Sequence, residues 1–147
     1  MKVVRIFALA LPLAMPAAAF TADIIVHRDP GCGCCAKWAM ILKQQLGRPV
    51  RIVDDHQRAL VQKRAGVPPK LISCHTAIVD GLVFEGHVPI VDMKQLLKQR
   101  PKGVKGLAVA GMPIGSPGME VPGTPNQSFT VVAFGSGGQR LFARHGP

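Results

Sequence analysis

The stretch Asp29-Pro30-Gly31-Cys32-Gly33-Cys34-Cys35-Ala36-Lys37-Trp38 holds three of the chain's four cysteines, and the fourth, Cys74, stands beside His75. Three chemistries compete for thiols packed this tightly. A disulfide staple needs Cα separations of about 4.4–6.8 Å. The adjacent Cys34 and Cys35 can therefore bond each other only with strain, and the comfortable bridge is a long-range one to Cys74 that leaves two thiols over. A redox couple uses two sulfurs, and Cys32 and Cys35 form such a C-x-x-C pair; Cys34 between them invites scrambling. Metal capture uses all four. Soft thiolate sets select Cu(I), zinc or iron–sulfur clusters. Structural zinc favours two separated knuckles that close a tetrahedron, which C-x-C-C with one distant partner fits poorly. The spacing suits sulfurs that bridge between ions, and Cu(I) makes such assemblies with two or three ligands per ion. The cysteines thus point to capture of Cu(I), with more than one ion in reach, ahead of redox exchange and ahead of a staple.

Other residues bear on the same chemistry. His75 and His87 are candidate auxiliary ligands, the alternative being surface or capping groups at strand ends. Met112 and Met119 carry thioethers that suit Cu(I), or serve as apolar cover. His27 is a candidate neighbour of the site or a solvated strand residue, and Trp38 belongs to a helical apolar face. His56 and His145 have no supporting context.

Positioning these groups requires a set of elements. Asp23–Arg28 has strand composition, and Asp29-Pro30-Gly31 ends it. From Lys37, Trp38, Ile41, Leu42 and Leu46 recur at helical steps until Gly47 and Pro49, which puts the cysteines at the N-terminus of that helix. There the helix dipole favours thiolate, most of all for Cys34 or Cys35. Val50–Val53 is a second strand. Asp54 or Asp55 caps a short helix to about Ala65, closed by Gly66-Val67-Pro68-Pro69. Thr76–Val79 and Leu82–Glu85 flank Asp80-Gly81 as a hairpin. Pro89 opens a third helix bearing Ile90, Met93, Leu96 and Leu97, which Pro101–Gly103 closes. Gly106–Pro125 reads as a Gly/Pro-rich loop, and Phe129–Phe134 with Gln139–Phe142 as a C-terminal β-hairpin.

The first 19 residues combine a basic start, an apolar run and Ala17-Ala18-Ala19, the pattern of a secretory signal peptide cut after Ala19. The expectation is an exported, periplasmic protein with a single domain over residues 20–147 and no transmembrane segment in the mature chain. Lys2 and Arg5 fall in the leader, so 16 of the 18 Lys and Arg remain against 8 acidic residues. The mature chain is still basic, but its cations are scattered, Tyr is absent and Trp occurs once. Nucleic acid is therefore excluded as a partner, and the charge reads as a solvated face.

The order β-α-β-α-β-β-α, with C-x-x-C between the first strand and its helix, resembles the thioredoxin fold. In that fold the loop before the third strand packs against the C-x-x-C, which by analogy brings Cys74 over the trio. "GCGCCAKW", "SCHTAIVDGLVFEGHVP" and "GLAVAGMPIGSPGME" resemble the signature blocks of the CopG-type copper-resistance family, small exported metal-binding proteins of thioredoxin-like fold. The resemblance implies copper bound through Cys32, Cys34, Cys35 and Cys74. Members often carry a histidine three residues after the tryptophan; this chain has Ile41 there, with the thioether of Met40 adjacent. The function expected is copper tolerance by sequestration or by transfer to a periplasmic copper efflux or oxidase component. The alternative is a thiol-disulfide or copper oxidoreductase using Cys32 and Cys35, which the absence of the usual proline before the third strand disfavours.

Overall fold

A computed structural model describes residues 23–147; the expected leader and its cleavage point lie outside the described residues. The chain forms one mixed α/β layer system, with strands β1 (Ile24–Arg28), β2 (Val50–Asp54), β3 (His75–Val79), β4 (Leu82–Glu85), β5 (Gly106–Ala108), β6 (Phe129–Gly135) and β7 (Gly138–His145). The helices are α1 (Gly33–Leu46), α2 (Arg58–Ala65) and α3 (Ile90–Gln99). All seven strands join one sheet in the order β2-β1-β3-β4-β5-β6-β7. β1 runs parallel to β2 and β4 to β5, with antiparallel pairing elsewhere. Each parallel pair needs a crossover, and α1 and α3 supply the two.

Alternation along the strands sorts the side chains into two layers. Ile24, Val26, Ala77, Val79 and Phe84 face Trp38, Leu42, Met93 and Leu96 of α1 and α3, forming the main core. The opposite face, under α2, holds a smaller cluster of Ala65, Val67, Leu71, Val83, Ala108 and Phe134. Burial of β4 on both faces is the consequence, and it reaches its last residue, Glu85. At the β3–β4 turn Asp80 and Gly81 have φ of 49° and 80°, the two positive values of the hairpin turn expected from Asp-Gly.

The cysteines sit at the N-terminus of α1, as expected: Cys34 and Cys35 lie in its first turn and Cys32 is its N-cap, the Cys32 sulfur accepting from the Cys35 N–H. Gly, Cys and Cys are weak helix formers, and their conformation comes from this cap and from burial of Cys35 in the core. One expectation needs correction: the segment expected as loop from Gly106 opens with β5. Three residues carry no periodic signal, and the strand exists because Val83, Phe84 and Glu85 offer it a parallel partner. Gly106 is required there, since a Cβ would collide with the Val83 carbonyl. No helix among the described residues is long and apolar enough to cross a membrane.

Candidate metal centre

The turn after β1 is built by Pro30 and Gly31, the latter at φ 72°, and the Cys32 N–H closes it on the Asp29 carbonyl at 3.1 Å. It delivers Cys32 to the cap of α1. Cys32 and Cys35 form a disulfide with Cα atoms 5.4 Å apart, and Cys34 and Cys74 are free thiols. The bridge is therefore local, not the long-range one to Cys74, because one helical turn sets Cys32 and Cys35 within bridging distance. Cys34 Sγ lies 3.3 Å from Cys32 Sγ.

Cys74 enters from the other side of the first strand. The Asp29 N–H donates to its carbonyl at 3.1 Å, and Cys35 Sγ lies 3.5 Å from the same carbonyl oxygen. The four sulfurs stand within 4.8 Å of one another, and so do Cys74 Sγ and one ring nitrogen each of His75 and His87. Cys74 is thus common to a sulfur group and a sulfur–imidazole group.

The histidines arrive through the hairpin. Thr76 pairs with Glu85, which sets His75 beside Gly86, whose N–H donates to the His75 carbonyl. The Val88 N–H then returns to the Gly86 carbonyl, a three-residue turn that throws His87 over Cys74. Gly86 must be glycine here: a Cβ would meet the Val109 carbonyl oxygen and Ser73 Cβ at 2.5 and 2.6 Å. His87 Nδ1 donates to the Pro117 carbonyl at 2.8 Å, so its Nε2 is bare, 3.2 Å from Cys74 Sγ. His75 Nδ1 lies 3.4 Å from the same sulfur, while His75 Nε2 is buried with no hydrogen-bond partner. Its ring packs on Trp38 at 4.4 Å, and Trp38 Nε1 donates to the Val88 carbonyl at 2.9 Å. Trp38 is therefore both core and support for the site.

Electrostatics follow from burial. Burial, then repulsion from Cys34, pushes the Cys74 thiol up to about 12. Burial, then the neighbouring His87 and Arg58, holds His75 well below the usual imidazole range, and burial lowers His87 as well. Cys74 is thus a protonated thiol beside two neutral imidazoles, whose bare ring nitrogens are free to ligate. Soft sulfur with neutral nitrogen, buried around Cys74 and half-buried at Cys32 and Cys34, is a donor set for copper or another soft ion. The orphaned His75 Nε2 marks a donor position that the protein itself leaves unused.

Met112 is 52% exposed and Met119 half-buried, both in the loop after β5. Met40 is 57% exposed and lines a groove with Lys43 and Arg48. His27 bonds Asp55 at 2.9 Å. His145 bonds Asp92 at 2.7 Å, fastening the last strand to α3. Glu85 went unnoticed in the sequence. It is wholly buried, and burial pushes its carboxyl above the usual range against hydrogen bonds from Thr76, Ser73 and Gln62. The hairpin register that pairs it with Thr76 was the available signal.

A Trp38→Phe variant keeps an aromatic ring but removes the donor to Val88 and part of the buried volume. Bond and packing together should lower stability by about 1–3 kcal/mol or more, read as a lower denaturant midpoint at unchanged slope; an unmoved midpoint would show that neither supports the fold.

No curated protein sequence matches the chain significantly. A family model described as a protein of unknown function, DUF411, matches residues 71–119, the span from the approach to Cys74 through the loop that carries Met119. Two solved structures match most of the chain. Copper resistance protein CopG in its form 1 is 36% identical, with a TM-score of 0.77, covering 86% of this chain and 99% of that one. Form 2 is 37% identical, with a TM-score of 0.75, covering 84% and 97%. With identity at this level over nearly the whole length of that protein, the chain belongs to the family of copper resistance protein CopG.

Proposed function

We propose that this protein captures copper as Cu(I), more than one ion per chain, and serves copper resistance in the periplasm. One observation carries the reading: Cys74, from the far side of β1, comes within 4.8 Å of all three clustered sulfurs while also facing two neutral imidazoles. Copper is here the cargo. Cys32, Cys34, Cys35 and Cys74 would hold it through sulfur, with His75 Nδ1 or Nε2 and His87 Nε2 as nitrogen donors and Met112 and Met119 as auxiliary thioethers. The leader would be removed after Ala19, leaving one thioredoxin-like domain over residues 20–147. The strand order β2-β1-β3-β4, with a parallel first pair and antiparallel neighbours, supports that description. Delivery to an efflux or oxidase component is part of the same proposal.

Capture by all four sulfurs requires the reduced protein. The Cys32–Cys35 disulfide takes up two electrons and two protons from a dithiol donor to yield the two thiols that bind. Anaerobic titration of the reduced protein with Cu(I) against a chromophoric chelator should give more than one ion per chain. One tightly held zinc and no copper preference would overturn the reading.

The same disulfide favours a second reading, a thiol-disulfide or copper oxidoreductase with Cys32 and Cys35 as its couple. Clear insulin reduction by the metal-free protein would support it over simple capture.

A further inference from the structure

The sulfurs come from two stretches, the start of α1 and the approach to β3, and among the described residues no disulfide joins Cys74 to the others. What ties the stretches together lies behind the site, on the α2 face of the sheet. Glu85 is fully buried and accepts from the Ser73 N–H at 2.8 Å and from Thr76 Oγ at 2.5 Å. One carboxylate thus straddles the Cys74-His75 pair, gripping the residue on each side. Gln62 Nε2 donates to the same carboxylate at 2.5 Å. Arg58 Nη1 stands 3.7 Å from Glu85 Oε1, and the other side of its guanidinium grips both oxygens of Asp29 at 2.7 and 3.1 Å. Asp29 is the residue whose carbonyl closes the turn onto Cys32 and whose N–H holds the Cys74 carbonyl.

The path from Ser73 and Thr76 through Glu85 and Arg58 to Asp29 therefore links the two sulfur-bearing stretches without touching a sulfur. A buried carboxylate–guanidinium pair is a poor device for stability alone, since apolar residues of the same volume often serve as well or better. It does fix orientation. Groups that orient metal ligands from behind are typically worth about 10–100-fold in metal affinity.

We propose that Glu85 and Arg58 are positioning residues that set the span between Cys74 and the Cys32–Cys34–Cys35 sulfurs, and through it the affinity of the cluster for Cu(I). This rests on the copper-capture reading above, so its test carries a second, metal-free readout. Full-length protein is reduced and compared with Glu85→Gln and Arg58→Gln. Cu(I) affinity is measured by chelator competition, together with the near-ultraviolet copper–thiolate band. Separately, the metal-free thiols are cross-linked with dibromobimane, and peptides joining Cys74 to Cys34 are quantified. Thermal midpoints record how much of each variant is folded.

Glu85→Gln should lose roughly 10–100-fold in Cu(I) affinity with a shifted copper–thiolate band, Arg58→Gln should lose less, and both should give fewer Cys74–Cys34 cross-links. Wild-type affinity, band and cross-linking in the folded variants would overturn the proposal. An affinity loss matched by the unfolded fraction, with an unshifted band, would do the same. If Glu85→Gln does not fold, Arg58→Gln, whose side chain reaches the surface beside Asp29, decides by the same criteria. Should the wild-type protein take up no Cu(I), the copper reading fails, and the cross-links alone then decide: a fall supports the positioning role and no change overturns it.

Discussion

Replacing Cys74 by serine is expected to remove most of the Cu(I) capacity of the reduced protein, the largest effect of any single substitution. Cys74 is the one side chain common to the sulfur group and the sulfur–imidazole group. Its loss leaves three sulfurs clustered at the start of α1 and strands His75 and His87 with no shared partner. The affinity of any residual site should fall by more than the roughly 10–100-fold typical of losing a mere supporting residue. The hydroxyl is smaller than the thiol and fits the same space, so the thermal midpoint should move little. Chelator competition checks the result, and near-wild-type stoichiometry and affinity in Cys74→Ser would end the model of a shared hub. Serine at Cys34 should cost less, because that thiol is half-buried and belongs to the sulfur group alone.

The second large effect is on pH. Cu(I) binds thiolate, and a thiol held at about 12 is protonated throughout the physiological range. Capture must therefore displace the Cys74 proton into solvent. Binding gains strength as pH rises and loses it as pH falls, by about tenfold per unit for each proton displaced. The imidazoles do not reverse this sign. Burial lowers both, so they remain neutral ligands through the window in which an ordinary histidine would begin to charge. Between about pH 8 and pH 6 the slope should belong to the thiols. Cu(I) competition across that range should show at least one decade of affinity per pH unit, and a proton release measurable in weakly buffered solution. The slope should be shallower in Cys74→Ser. A flat profile would mean that the sulfurs enter the complex already ionised, contrary to the burial of Cys74.

Preassembly is what distinguishes this centre from a flexible thiol tail. His87 has its tautomer set by the Pro117 carbonyl, His75 is wedged against Trp38, and the Cys74 main chain is held by Asp29. The protein has therefore ordered its donors before an ion arrives, which spares the ordering cost that a disordered site would meet on binding. The loop after β5 takes part, since a Cβ on Gly118 would press on the Cys34 carbonyl and the Trp38 amide at 2.9 Å. That contact explains why a long Gly/Pro segment of this kind can lie close over the start of α1.

The fold class, the Asp80-Gly81 hairpin and the sulfur chemistry were legible in the residues themselves, because each rests on local rules: alternation, turn conformation, and the affinity of thiolates for soft ions. Hairpin register also carries Thr76 to Glu85 and so brings His75 within a step of His87, a consequence of counting outward from the turn. Other features had no local signal. β5 is a strand only because β4 is there to pair with it. No short stretch shows that Arg58 comes to stand 3.7 Å from the buried Glu85 once α2 folds over the sheet. Residue type and spacing determined what chemistry the chain can do. Only the tertiary structure decided which atoms meet, because contacts such as Arg58 with Asp29, 29 residues apart, and Trp38 with Val88, 50 apart, are set by how sheet and helices pack, which no short stretch contains.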